Sequence, residues 1–342
     1  MPQARTHHSH PNHESTGKKR FARIRGQRRV LDVADDNHWA VMRGEPKPKL
    51  VCPIDGCTQE LVTVFLSDHE TRYLRYNNPN GSKGCPHLEV PPSGGGPMTE
   101  EHLWLQITFY NYCIELGFEA YLETDFADIR VESDPPFALE VQRHDTDFDK
   151  RSTQRAEKGM KTLWLLPDSA RRAVNDPLFN RPAVRVKYIR EGDTSRPPWD
   201  PQCRGRTTIT VGATIWERDF DPSRFTPAGN QNPKEFLREV LDGERGWYTR
   251  SALHGARTEQ RTWAGWALTR DFVAVRSERT RRELLASASL MEEENRRRQI
   301  DLRDCIRRDY VQARRLNEDR FQAAELRASD YYHLNSTPPG ER

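Results

Sequence analysis

Residues 127–166 read ADIRVESDPPFALEVQRHDTDFDKRSTQRAEKGMKTLWLL, and the order of elements within them decides the fold. Two short runs alternate apolar and polar residues on either side of Ser133-Asp134-Pro135-Pro136, a turn signal. Pairing the runs as a hairpin brings Asp128 of the first and Glu140 of the second to one end of a sheet. Glu140 and Gln142 share a face, because strand side chains repeat every second residue. Glu140 stands inside Phe137-Ala138-Leu139-Glu140-Val141, where an acid loses hydration unless it is paired or metal-bound. Asp128, between Ala127 and Ile129, has a similar setting. Two acids beside a third polar group suit a divalent cation, Mg²⁺ or Mn²⁺, that activates water for phosphodiester cleavage. Gln142 can orient that water or a phosphate oxygen.

The flanking sequence extends this unit in both directions. Residues 98–117 predict a helix, with Thr99 as N-cap, Glu100 and Glu101 at its positive end and Gly117 as its stop. Leu103, Ile107, Tyr110 and Ile114 step along one buried face. His102, in the first turn, is a candidate ligand or proton carrier, and Glu101 a candidate helix acid. A strand over 119–124 precedes the hairpin. A basic helix over 148–158, ended by Gly159, follows it. Lys150, Arg151, Arg155, Lys158 and Lys161 can clamp backbone phosphates, with Arg155 facing the site. The apolar run 162–166 completes the order helix, three strands, helix, strand.

Further strands are expected over 184–189 and 207–216, and a helix from the Asn232 cap and Pro233 to Leu241, stopped by Gly243. From 277 to about 330 the chain is charged and free of Gly and Pro. Leu302, Ile306, Tyr310, Ala313, Leu316, Phe321 and Ala324 form a rough stripe there. Residues 292–298 interrupt it, which leaves a coiled coil and a solvated helix both open.

With 35% apolar and 31% charged residues, the chain of 342 cannot be core throughout, so packed units joined to solvated or disordered segments are expected. The net charge of +3 names no partner; local clusters matter more. One such cluster lies in residues 1–36, read as a disordered basic arm that either binds nucleic acid or solubilises. No apolar run approaches the roughly 20 residues of a membrane helix. No apolar segment follows the N-terminal charges either, so a cytoplasmic protein without a membrane partner is expected. Cys113, Cys203 and Cys305 are scattered, whereas Cys52, Cys57 and Cys85 cluster. Cys52-Pro-Ile-Asp-Gly-Cys57 and Cys85-Pro-His87 supply two tight pairs of ligands for a structural, tetrahedral Zn²⁺, with His69 a rival to His87 for the fourth place.

Over residues 50–190 the chain resembles the competence protein CoiA-like family, whose core belongs to the PD-(D/E)XK nuclease superfamily. In that family a Cys/His segment precedes a helix with an E-[ST]-x-x-H pattern, an aDv strand, an E-V-Q strand, a basic helix and an apolar strand close to iWll. Here Met98-Thr99-Glu100-Glu101-His102, Ala127-Asp128-Ile129, Glu140-Val141-Gln142, Arg155 and Leu163-Trp164-Leu165-Leu166 take those places. Residues 176–188 resemble the family's tail. Met98 stands where the pattern has glutamate, and Gln106 where a lysine is expected.

The resemblance implies an α/β chain with a restriction-endonuclease-like αβββαβ core over 98–192, following a zinc-ribbon-like segment over 37–97. An accessory region (193–275) and a charged helical tail (276–342) complete it. The implied activity is metal-dependent hydrolysis of DNA in uptake, recombination or defence. Asp128 and Glu140 would hold the metal, with Gln142, His102, Glu101 and Arg155 around them. Two other readings compete. One is a nucleic-acid-binding protein whose altered helix motif marks lost catalysis; the other is a scaffold that self-associates through its C-terminal helix.

Overall fold

The computed structural model describes residues 19–77, 85, 99–170, 175–192, 195–200, 202–203, 206–254 and 263–335. The chain divides into two compact units at Val275 and Arg276. The first unit opens with an antiparallel sheet: β1 (Phe21–Ile24), β2 (Val30–Asp32), β3 (Leu50–Val51), β4 (Glu60–Leu66) and β5 (Thr71–Tyr76), ordered β2-β1-β3-β4-β5. The helix α1 (Asp36–Met42) joins β2 to β3, and its Trp39 and Met42 pack on Leu31, Leu50, Leu61 and Leu74. Lys19 exchanges both backbone hydrogen bonds with Leu74, so the chain ahead of β1 curls this sheet back to its far edge.

Residues 19–36, expected to belong to a disordered arm, are therefore ordered. Their arginines are spent on ion pairs rather than left for solvent: Arg20 reaches both oxygens of Asp32 at 2.7 and 2.6 Å, and Arg23 reaches Asp55 at 2.7 Å. Residues 1–18 lie outside the described residues.

The larger sheet carries the predicted order. α2 (Glu100–Glu115) is followed by β6 (Glu119–Thr124), β7 (Ala127–Glu132), β8 (Phe137–Val141), α3 (Phe148–Ala156) and β9 (Lys161–Pro167). Then come α4 (Asn175–Asn180), β10 (Ala183–Glu191) and β11 (Arg206–Gly212), giving the strand order β11-β10-β9-β8-β7-β6. β6, β7 and β8 form an antiparallel meander, β8, β9 and β10 run parallel, and β11 returns antiparallel. Every residue of β8 is buried because helices cover both faces. Ile129, Leu139, Val141 and Leu163 pack with α2; Trp164 and Leu166 meet Phe148 of α3.

α2 is buried more completely than its periodicity implies. Leu105, Phe109 and Cys113 are fully buried beside Ile107 and Tyr110, while Leu103 and Ile114 are only partly so. The reason is a second layer that a one-face reading omits. Asn111 bonds the N–H and C=O of Val30 at 3.0 and 2.8 Å, and Tyr110 donates to the carbonyl of Arg28 at 2.9 Å. The first hairpin thus clasps the side of α2 turned away from the sheet.

Residues 206–275 add the hairpin β12 (Trp216–Arg218) and β13 (Phe225–Pro227), α5 (Pro233–Leu241), β14 (Arg245–Tyr248), α6 (Arg250–His254), β15 (Gly265–Leu268) and the start of α7 (Thr269–Asn335). They are not a separate accessory region: Val211, Ile215, Phe236, Leu237 and Trp266 share one core with α2 and the larger sheet. As expected, Asn232 caps α5, its Oδ1 accepting from the Lys234 N–H at 2.9 Å. Asn232→Ala is expected to lower stability by about 1 kcal/mol, read from the urea midpoint at unchanged slope.

α7 runs unbroken for 67 residues, straight through 292–298. None of the helices among the described residues is long and apolar enough to cross a membrane.

Candidate functional site

β7 and β8 pair Ile129 with Leu139 and Arg130 with Ala138, and extending that register by one residue sets Asp128 opposite Glu140. The predicted convergence follows from this register. One oxygen of Asp128 accepts from the Val141 N–H at 2.8 Å and lies 3.4 Å from His102 Nε2. Glu140 is fully buried and holds two arginines of α3. Arg155 Nε bonds one oxygen at 2.8 Å and Arg151 Nη2 the other at 2.6 Å. Arg151 also donates to Gln142 Oε1 at 2.8 Å, while Gln142 Nε2 donates to the His144 carbonyl at 2.8 Å. Asp128, Glu140, Gln142, His102 and Arg155 therefore meet in one cluster at the end of the sheet.

Glu101 does not join them. Arg143 Nε at 2.7 Å, Ser169 Oγ at 2.6 Å and the Tyr188 hydroxyl take up its carboxylate instead. An acid 1% exposed is costly unless such partners surround it, so Glu101 anchors α2 to β9 and β10. Nor are Arg151 and Arg155 free phosphate clamps, because the buried Glu140 engages both. Lys158 is engaged too, at 3.2 Å from Asp125 and 4.5 Å from the centre of the exposed Phe126 ring.

Two further groups escape motif reading. Gln106, fully buried on α2, donates to Glu123 at 2.6 Å and to the Asp128 carbonyl at 2.7 Å, which leaves its own Oε1 buried without a partner. Glu123, next to last in β6, lies in the left-handed region (φ +52°), as do Asp125 (+55°) and Phe126 (+65°) in the turn that follows the strand. Such backbone persists only where its surroundings hold it; here Arg155 donates to the Phe126 carbonyl and Arg130 pairs with Asp125. Glu123 carries no local signal. Arg151 does, since it precedes Arg155 by four residues and shares its helix face.

The charges interact as their spacing requires. Burial, then the Asp128 charge, raises the Glu140 carboxyl, and the guanidiniums of Arg151 and Arg155 pull it back down. Burial and Asp128 also raise Glu123. Burial opposes ionisation of Asp128, but His102, the Val141 N–H and Arg151 outweigh it and hold the acid below its ordinary value. His102 is raised in turn, because Asp128 overcomes the desolvation that would lower it. The result is a pair of neighbouring acids with one imidazole and two guanidiniums against them.

A second centre lies in the smaller sheet. The sulfurs of Cys52, Cys57 and Cys85 fall within 4.8 Å of one another, a cluster that can hold a metal ion such as zinc. No other set of three or more His, Cys, Asp or Glu ligand atoms meets that limit among the described residues. Gly56 turns the chain at φ +76°, which lets Cys57 fold back over Cys52. Burial raises the Cys52 and Cys57 thiols, and the neighbouring Cys85 raises them further, so a cation is what would favour the thiolates. Of the rival fourth ligands, His87 lies outside the described residues, as does the His69 side chain. No family model, curated protein or solved structure matches this chain.

Proposed function

We propose that the cluster at Asp128 and Glu140 hydrolyses phosphodiester bonds of DNA with Mg²⁺ or Mn²⁺, on a restriction-endonuclease-like αβββαβ core. The observation that carries this reading is the cross-strand placement of Asp128 opposite Glu140, with His102, Gln142, Arg151 and Arg155 converging on the pair. The donor set is all oxygen, as a hard cation requires. Asp128 and Glu140 would hold the ion, Arg151 giving up its carboxylate oxygen. Arg151 is the arginine able to swing, its side chain being 28% exposed against 4% for Arg155.

When bound, the cation would supply an activated water and charge for the departing oxyanion. The chain's own groups do the rest. Arg151, once released, offers two donors to a phosphate oxygen. His102, whose proton affinity Asp128 raises, can exchange a proton with a leaving oxygen. Gln142 orients water.

The test is incubation of the purified chain with single- and double-stranded DNA plus Mg²⁺ or Mn²⁺. Cleavage should fall by roughly 100-fold or more in both Asp128→Ala and Glu140→Ala. Wild-type DNA binding without cleavage under either metal would instead favour a non-catalytic nucleic-acid-binding module. The occupation of both Glu140 oxygens by arginine is what speaks for that second reading. The Cys52, Cys57 and Cys85 cluster is proposed as a structural zinc centre closed by a histidine.

A further inference from the structure

We propose that α7 pairs with the α7 of a second copy of this chain, parallel and in register, along a seam that repeats every 11 residues. From Leu284 to Ala328, steps of four, four and three residues recur and reach 13 positions. None is charged, although 19 of the 45 residues in that span are Asp, Glu, Lys or Arg. Random placement does not leave such a track clear. It passes through the charged stretch 292–298 at Asn295, so what looks like an interruption in a heptad is one polar step in an 11-residue pattern.

The track carries Leu284, Met291, Leu302, Ile306, Tyr310 and Phe321, each between 60% and 70% exposed. An isolated helix gains little from its own sequence in water. Its intrahelical pairs, such as Glu293 with Arg297 at 3.3 Å and Glu294 with Arg298 at 2.6 Å, support it but bury no apolar surface. An 11-residue repeat advances by about 3.67 residues per turn, close to the natural helix, so the seam stays on one face for about 66 Å with a slight right-handed supercoil.

The occupant is a second copy because the seam complements itself. In register, Asn295 and Asn317 each meet their own counterpart, and paired amides fix such alignments. Along the flanks Asp309 faces the second copy's Arg314, and Arg320 its Glu325. One flanking pair, Arg298 with Arg303, has like sign, and Glu294 already offsets Arg298. An antiparallel pair centred on Ile306 would leave Arg303 facing only Arg303 or Arg314.

Sedimentation equilibrium of the full chain at micromolar concentrations should give twice the 39.8 kDa chain mass. The double variant Ile306→Glu/Phe321→Glu should sediment as a monomer. Leu326→Glu, equally exposed but on the opposite face, should stay dimeric. With Cys305→Ser removing the exposed thiol of α7, Ala288→Cys should form a disulfide between copies, mapped by mass spectrometry. A monomeric wild type overturns the proposal, as does a dimer that survives the double variant or is lost in Leu326→Glu. A dimer without the 288–288 disulfide overturns the parallel register.

Discussion

Stripping the metal proposed for the cysteine cluster is expected to loosen the turn 52–57 and, through Asp55, the sheet edge that carries Glu123. The turn has few apolar residues of its own, so metal coordination is what would order it; structural zinc in small domains contributes on the order of 10 kcal/mol. Asp55 lies inside that turn. One of its oxygens pairs with Arg23 at 2.7 Å and the other accepts the Leu122 N–H at 2.9 Å. β6 is the edge strand of the larger sheet, and its outward N–H groups have no further strand to meet. Leu122 directly precedes Glu123, so the turn supports the backbone of the candidate active site from the far side of the edge.

Purified wild type should carry about one equivalent of zinc by elemental analysis, and Cys52→Ser should carry little. Amide exchange at Leu122 should quicken roughly tenfold to hundredfold, the worth of a lost hydrogen bond of about 1–3 kcal/mol. Because a buried serine is itself costly, wild type treated with a chelator is the matched comparison and should show the same acceleration. Wild type that holds no metal would sink the zinc assignment, and a Leu122 amide that ignores the chelator would sink its link to the site.

The hairpin was legible because its signals are local. Strand alternation, the Ser133–Pro136 turn and the Gly117 and Gly159 stops specify neighbouring residues, and the register then follows with Asp128 opposite Glu140. Groups that act by reaching across the fold left no such trace. Asp55 looks like an ordinary turn residue until β6 is laid beside it. Glu101 looks like a helix acid until Arg143, Ser169 and Tyr188 close on it from three other segments. Over residues 19–36 the expected disordered arm failed for the same reason: Arg20 and Arg23 read as free positive charge, and their carboxylate partners lie 12 and 32 residues away. In α7 the obstacle was different, a periodicity of 11 read against a template of 7.

Arg155→Met is expected to be the most destabilising single change at the candidate site, by about 3–5 kcal/mol. Arg155 is buried, its Nε and Nη2 both reach Glu140 at 2.8 Å, and Nη2 also serves the carbonyl of Phe126. Without it one oxygen of a fully buried carboxylate and the Phe126 carbonyl lose their donor together, and the left-handed turn at Asp125 and Phe126 loses its brace. Arg151 keeps only the other oxygen. Its own removal should cost less, about 1 kcal/mol, because water can reach Glu140 Oε2 through the half-open place it leaves. The double variant Glu140→Met/Arg155→Met should regain most of the Arg155→Met loss, since apolar side chains of similar volume replace a buried ion pair at little net cost. Urea unfolding of the four proteins closes this cycle. A double variant as unstable as the sum of its singles would show that Arg155 acts through the turn rather than through Glu140. DNA cleavage separates the roles further: the double variant should be folded and inactive, whereas Arg151→Met should be folded and only weakened. Stability restored without activity would identify Glu140 as a residue kept in an apolar strand for chemistry, at a standing cost to the fold.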